Sequence, residues 1–288
     1  MSAWLLLRGL TRESRHWGDL PARWQAAGLG DTVQIDLPGN GTACREPVPA
    51  QVEAIMEIVR GKVRGAGLAP PYRLLAMSLG AMVATAWAQR YPDEVAVLVL
   101  INTSMRPFST VAERLRPASW PALAGMALRW HNRAHCERVI HRLTCARQDT
   151  EAADVAAWQE IARSAPVTRQ AALRQLLAAA RYRAQASAPV CPTLVVTSGE
   201  DRLVNPACSD RLAKAWQVRQ ARHPWAGHDL PHDDPAWLCA AVSDWLSDAA
   251  DPARIKPAVP WPPGSAANRY PRKAPASRAG SGHFHASS

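Results

Sequence analysis

The stretch "YRLLAMSLGAMVATAWAQRYP" occupies residues 72–92, and its opening apolar run stops at Ser78. Beyond that serine, apolar positions return at helical spacing, with Gly80, Ala81, Ala84 and Ala88 supplying small side chains. A buried strand that simply became a helix would need no hydroxyl at the corner. A serine on a sharp strand-to-helix turn does need small neighbours, because the backbone there presses on the adjoining strand and helix. Ala76 and Gly80 stand two residues to either side and meet that need. The pattern is G-x-S-x-G with alanine at the first glycine, a setting that exposes a nucleophilic hydroxyl. Serine is also a good helix N-cap. The stretch alone leaves both readings open.

Short apolar runs alternate with amphipathic patterns on both sides of it. Strands are expected at 3–7, 32–36, 72–77, 95–102, 193–198 and about 217–223, and helices at 21–27, 49–64, 79–90, 208–216 and 235–247. Continuous runs such as "VAVLVLI" and "TLVVTS" suit strands covered on both faces. Strand and helix in alternation predict an α/β fold, a mostly parallel open sheet flanked by helices. The alternation breaks from 105 to 187, where arginine- and alanine-rich stretches punctuated by Pro117, Pro121 and Pro166 give four or five helices. This helical insertion reads as a cap over the strand ends. The organisation is therefore a core from 1 to 104, a cap at 105–187, the rest of the core at 188–247, and a Pro/Arg-rich tail at 248–288 expected to be disordered.

Composition narrows the function classes. A chain of 288 residues with 48% hydrophobic and 20% charged residues has the balance of a soluble globular protein. No apolar run approaches the ~20 residues that span a bilayer, and "MSAWLLLRGL" lacks the basic start of a signal peptide, so a cytoplasmic protein without membrane association is expected. The six cysteines show no CxxC pair and no zinc-like spacing, and read as buried thiols. A net charge of +10 invites a nucleic-acid reading, but part of the excess sits in the tail and much of the rest is arginine on helix faces. No nucleic-acid partner is expected.

A serine hydroxyl attacks only when a base takes its proton, and that base is usually a histidine oriented by a carboxylate. Asp201, in "LVVTSGEDRLVNP", falls just past the strand at 193–198. His228, in "RHPWAGHDLPHDDP", lies between the last expected strand and the final helix. Ser78, Asp201 and His228 thus follow strand ends, where open parallel sheets meet their ligands. Glu200 rivals Asp201 but suits a solvent-facing position. Among the histidines, His223 should end its strand and His232 should be loop surface or helix entry. Oxyanion donors are expected from the backbone N–H of Leu79, after the serine, and of Leu10, after the Gly9 turn.

Together these features resemble the α/β-hydrolase superfamily over nearly all of residues 3–246, and are similar to small bacterial carboxylesterases with a helical cap. The matching landmarks are Arg8-Gly9-Leu10, "DLPGNG" at 36–41, "AMSLGA", "GEDRLV" and "AGHDLPHDDP". Arg8 stands where the family usually has histidine, Ala76 where it has glycine, and the first strand corresponds to the family's third. The resemblance implies a serine hydrolase that cleaves a carboxylic ester through an acyl-enzyme on Ser78, with no metal and no organic cofactor required. A thioesterase or acyltransferase would use the same residues, and a non-catalytic ligand-binding relative is a further alternative. Phe108, Trp120, Leu123, Met126 and Trp130 are candidates either for an acyl pocket or for packing between cap helices. The arginines at 106, 114, 116, 129, 133, 138 and 142 raise the option of an acidic acyl-carrier protein as a partner besides a small-molecule ester, the plainer reading being solvated helix faces.

Overall fold

A computed structural model describes residues 3–249 of the chain. Its centre is one sheet of six strands: β1 (Trp4–Leu7), β2 (Thr32–Ile35), β3 (Tyr72–Met77), β4 (Val95–Ile101), β5 (Thr193–Ser198) and β6 (Arg219–His223), in the order β2-β1-β3-β4-β5-β6. Every pairing is parallel. The side chains alternate between two cores, as a pleated strand requires. Leu5, Leu7, Leu74, Ala76, Leu98, Leu100 and Val195 enter one. Trp4, Leu6, Leu75, Met77, Val99, Ile101, Leu194 and Val196 enter the other. Both faces are buried, which is why these segments read as unbroken apolar runs.

Helices cover each face. On the first lie α2 (Val52–Gly65), α3 (Leu79–Arg90) and α9 (Ala207–Trp216), following α1 (Leu20–Ala26), which covers the second with α11 (Pro235–Ala249). Sandwiched between sheet and α2, α3 has every residue from Leu79 to Ala88 buried, so its alanines set a close approach.

The segment between β4 and β5 carries α4 (Val111–Arg114), α5 (Trp120–Leu128), α6 (Arg133–Thr144), α7 (Glu151–Ser164) and α8 (Arg169–Arg181). Its two ends meet: Arg106 and Arg183 form a parallel bridge, and Ala184 N–H donates to Arg106 O at 2.8 Å. The last of these helices belongs to the core, with Ala171, Ala178 and Tyr182 joining the α2–α3 cluster. By contrast α5 buries no residue, and Trp120 is 47% exposed with its indole N–H on Leu115 O.

Most expected limits shift by one or two residues, and three placements change in ways that matter. Helix α2 begins at Val52 rather than 49, because Gln51 is still extended. Asp248 and Ala249, assigned to the tail, complete α11, while residues 250–288, the rest of the segment expected to be disordered, lie outside the described residues. His232, expected at a loop surface or helix entry, is half-buried within α10 (Leu230–Asp233).

Candidate active site

Register carries the candidate residues to one rim. Leu7 is level with Ala76, Ala76 with Leu100, Leu100 with Val195, and Val195 with Gln220. The segments that follow, holding Gly9, Ser78, Asn102, Asp201 and His228, therefore leave the sheet along the same edge.

At the end of β3, Ser78 has φ 54° and ψ −116°, a left-handed-side conformation that disfavours any residue with a Cβ. Its N–H donates to Ile101 O at 2.9 Å, and its carbonyl accepts from Thr103 Oγ1 at 3.1 Å. The side chain makes no N-cap hydrogen bond, so the cap alternative has no support. The tightness of the turn explains Gly80: a Cβ there would lie 2.5 Å from both Leu7 O and Arg8 O. Similarly, a Cβ on Gly9 would meet Ser78 Cβ at 3.1 Å and Oγ at 3.6 Å, so the backbone at Gly9 passes directly beside the hydroxyl. Leu79 N–H heads α3, where a helix leaves its first amides without internal partners.

Asp201 and His228 are joined. Nδ1 of the imidazole lies 2.7 Å from Asp201 Oδ2, both side chains being buried. The other carboxylate oxygen accepts from Leu203 N–H and Val204 N–H, each at 2.8 Å, which fixes its orientation. Arg116 Nη1 holds the Asp201 carbonyl at 2.8 Å. Glu200 is exposed, and His223 is turned to Asp234 at 3.3 Å, so neither competes. Among the described residues no hydrogen bond links Ser78 Oγ to the ring. The two are nevertheless held by consecutive residues: Ile101 and Thr103 bind the Ser78 backbone, and Asn102 Nδ2 binds His228 O at 2.7 Å. Asn102 also pairs with Ser198 through Oδ1···N and Nδ2···Oγ, each 2.8 Å.

Sequence reasoning missed two braces besides Asn102. Arg8, read only as a departure from the family pattern, is buried and makes a bidentate ion pair with Asp229, the residue after His228, at 3.0 and 2.6 Å. Burial works against the Asp229 charge, but Arg8 outweighs it and keeps the carboxyl below its usual range. Gln175, fully buried on α8, accepts from Thr11 N–H at 2.8 Å and donates to Pro38 O and Asn40 Oδ1. It thereby props the loop that contains Leu10. An asparagine closing an apolar strand was a visible signal; nothing local marks Gln175.

The family model described as serine aminopeptidase, S33 matches residues 4–234. The chain belongs to this family, within the α/β-hydrolase superfamily. A curated relative named "Putative carbamate hydrolase RutD", from Klebsiella pneumoniae, is 28% identical over 243 residues, covering 80% of this chain and 87% of its own. Solved structures share the fold. A thermophilic esterase from Thermogutta terrifontis superposes with TM-score 0.67 at 24% identity, covering 86% of this chain and 90% of that one. The enol-lactonase from Burkholderia xenovorans LB400 gives 0.70 at 19%, covering 86% and 92%. This α/β-hydrolase is an enzyme of a hydrolase family, and no helix among its described residues is long and apolar enough to cross a membrane.

Proposed function

We propose that this α/β-hydrolase is a serine esterase in which Ser78, His228 and Asp201 form a catalytic triad. The observation that carries the reading is the buried Asp201–His228 pair on the rim where the strained Ser78 backbone sits. His228 takes the Ser78 proton as Oγ adds to the ester carbonyl. Leu79 and Leu10 N–H groups receive the oxyanion. Collapse of the tetrahedral adduct expels the alcohol, protonated by His228, and leaves an acyl-enzyme. Water, deprotonated by His228, then attacks the acyl carbon, and the acid departs as Ser78 regains its proton. Asp201 fixes the imidazole tautomer and stabilises the imidazolium at each stage. The chemistry asks for no cofactor.

The five helices α4–α8 act as the cap in this reading and set acyl preference. Phe108 is a poor candidate for the pocket, since it packs edge-on against Trp216 at 5.7 Å. The arginines of the cap also have structural uses: Arg138 and Arg142 share Glu151, while Arg133 binds Val167 O and Arg114 binds carbonyls near the end of α8. A small uncharged ester or carbamate suits the site better than an acidic carrier protein, the carbamate option being favoured by the named activity of the 28%-identical relative.

Two measurements test the proposal. Ser78→Ala should lower kcat for short p-nitrophenyl esters by on the order of 10⁶-fold, and a fluorophosphonate should label wild type but not the variant. Retained turnover in Ser78→Ala would reject the nucleophile. Absence of labelling in folded wild type would favour a non-catalytic binding role.

A further inference from the structure

A cluster of side chains of metal-ligating types, none of them one of the three proposed catalytic residues, lies beside the histidine loop. His141 sits in the last turn of α6, and Cys145 follows that helix immediately, four residues on. His232 arrives from α10. One ligand atom from each of the three lies within 4.8 Å of the others. Asp154, on α7, places a single oxygen, Oδ2, 3.0 Å from His141 Nε2 and 2.9 Å from His232 Nε2. Trp158 walls the group, its ring 5.4 Å from that of His141 and 5.3 Å from that of His232.

One atom has no internal explanation. His141 is completely buried, and its Nδ1 has no hydrogen-bond partner. With Nε2–H donated to Asp154, Nδ1 carries a bare lone pair, and a buried acceptor left unpaired is costly. An imidazole whose far nitrogen is held by a carboxylate is the usual setting of a metal-ligating histidine. We propose that His141, Cys145 and His232, supported by Asp154, bind a divalent cation of the zinc class. Two imidazoles and a thiol are donors for a borderline-soft ion rather than for calcium or magnesium, which prefer oxygen. Bonds of ~2.0–2.3 Å put tetrahedral ligands ~3.5 Å apart, so side-chain rotation would draw the three inward. Cys145 would ligate as the thiolate, its proton leaving to solvent as the metal enters.

The site would reinforce a junction that Asp233 already makes by accepting from Ala146 and Arg147 N–H. It spans α6, α7 and α10, and α10 begins two residues after His228. Asp229 N–H already donates to Thr144 O, next to Cys145, at 2.7 Å. A bound ion would therefore fasten the helical segment to the histidine loop. No catalytic step is assigned to it.

The full chain, stripped with chelator, should be titrated with Zn²⁺ against a chromophoric competitor, and with Co²⁺ while recording its absorption. Wild type should gain one equivalent that Cys145→Ser binds at least tenfold more weakly, with a thiolate-to-cobalt charge-transfer band that vanishes in that variant. Asp154→Asn should weaken zinc by about 10–100-fold. Should Cys145→Ser fail to fold, as judged by its metal-free melting curve, His232→Gln at the half-buried position decides. The proposal is overturned if wild type takes up no zinc, if zinc binding is unchanged in the folded variants, or if cobalt binds without a thiolate band. Zinc held only by other histidines, such as His283 and His285, would give the second of these results.

Discussion

Ser78 holds its hydroxyl in place against a backbone preference, since φ 54° is comfortable only for a residue without a side chain. Strain of this kind costs ~1–3 kcal/mol. Ser78→Gly should therefore melt several degrees above Ser78→Ala, and above wild type, while both lack esterase activity; equal melting temperatures would show that the turn is relaxed. Gly80→Ala should do the opposite, because its Cβ would meet two carbonyl oxygens that belong to the backbone and cannot swing aside. A loss of ~1–3 kcal/mol is expected, together with reduced labelling by fluorophosphonate. Asp201→Asn should leave the fold intact and lower kcat about 10⁴-fold through the wrong imidazole tautomer. The Asp201–His228 pair was legible in the sequence because each side chain lies in the loop that follows a strand, and a parallel sheet delivers such loops to one rim. The Arg8–Asp229 pair was not. Its members are 221 residues apart, and a charged residue in a sequence does not announce a buried partner.

Elements are joined by a few ionic clusters, and Glu94 is the clearest. It precedes β4 and receives Arg60 through Nε at 2.8 Å and Nη2 at 2.7 Å, Trp87 Nε1 at 2.9 Å, and Arg64. Arg60, above all, holds its carboxyl at about 2, with burial opposing and Trp87 and Arg64 assisting. A depressed pKa means that folding favours the ionised form. Stability from this group is complete above the ordinary carboxylate range and fades as pH falls from about 4.5 toward 2. Glu94→Gln should accordingly lower the melting temperature at neutral pH, with the gap to wild type closing below pH 4. A gap independent of pH would mean that packing, not charge, is what the substitution removes. The Arg8–Asp229 pair plays the same part between the end of β1 and the histidine loop. Arg8→Met leaves a buried unpaired carboxylate and should cost ~3–5 kcal/mol, most of it recovered in the Arg8→Met, Asp229→Leu double variant. Strand positions were legible to within two residues, since two-sided burial writes an unbroken apolar run. Helix limits were less so. The apolar-rich stretch 120–143 divides at Asn132, whose side chain caps α6 by accepting His135 N–H at 2.9 Å, without a proline or glycine to mark the break.

At the scale of the whole molecule, the sheet supplies the rim and the helical segment leans on it through α8. Gln175→Leu should preserve the fold but release Thr11, and with it the Leu10 loop, so kcat should fall while fluorophosphonate still labels Ser78; an unchanged kcat would make Gln175 a packing residue only. The parallel order of the sheet was legible from strand–helix alternation, but His232 was misplaced because its partner Asp154 stands 78 residues away on another helix. The meeting of Arg106 with Arg183 has a wider consequence. Because the chain returns to the point from which it left the sheet, lengthening the excursion ahead of α8 twofold adds just ~0.6 kcal/mol of loop entropy, while the core contacts of α8 through Ala171, Ala178 and Tyr182 are kept. Under the proposed function, selectivity should be modular: provided α8 is kept for Gln175 and Arg116 for the Asp201 backbone, foreign helices spliced into this excursion should redirect acyl preference while leaving Ser78 as it was.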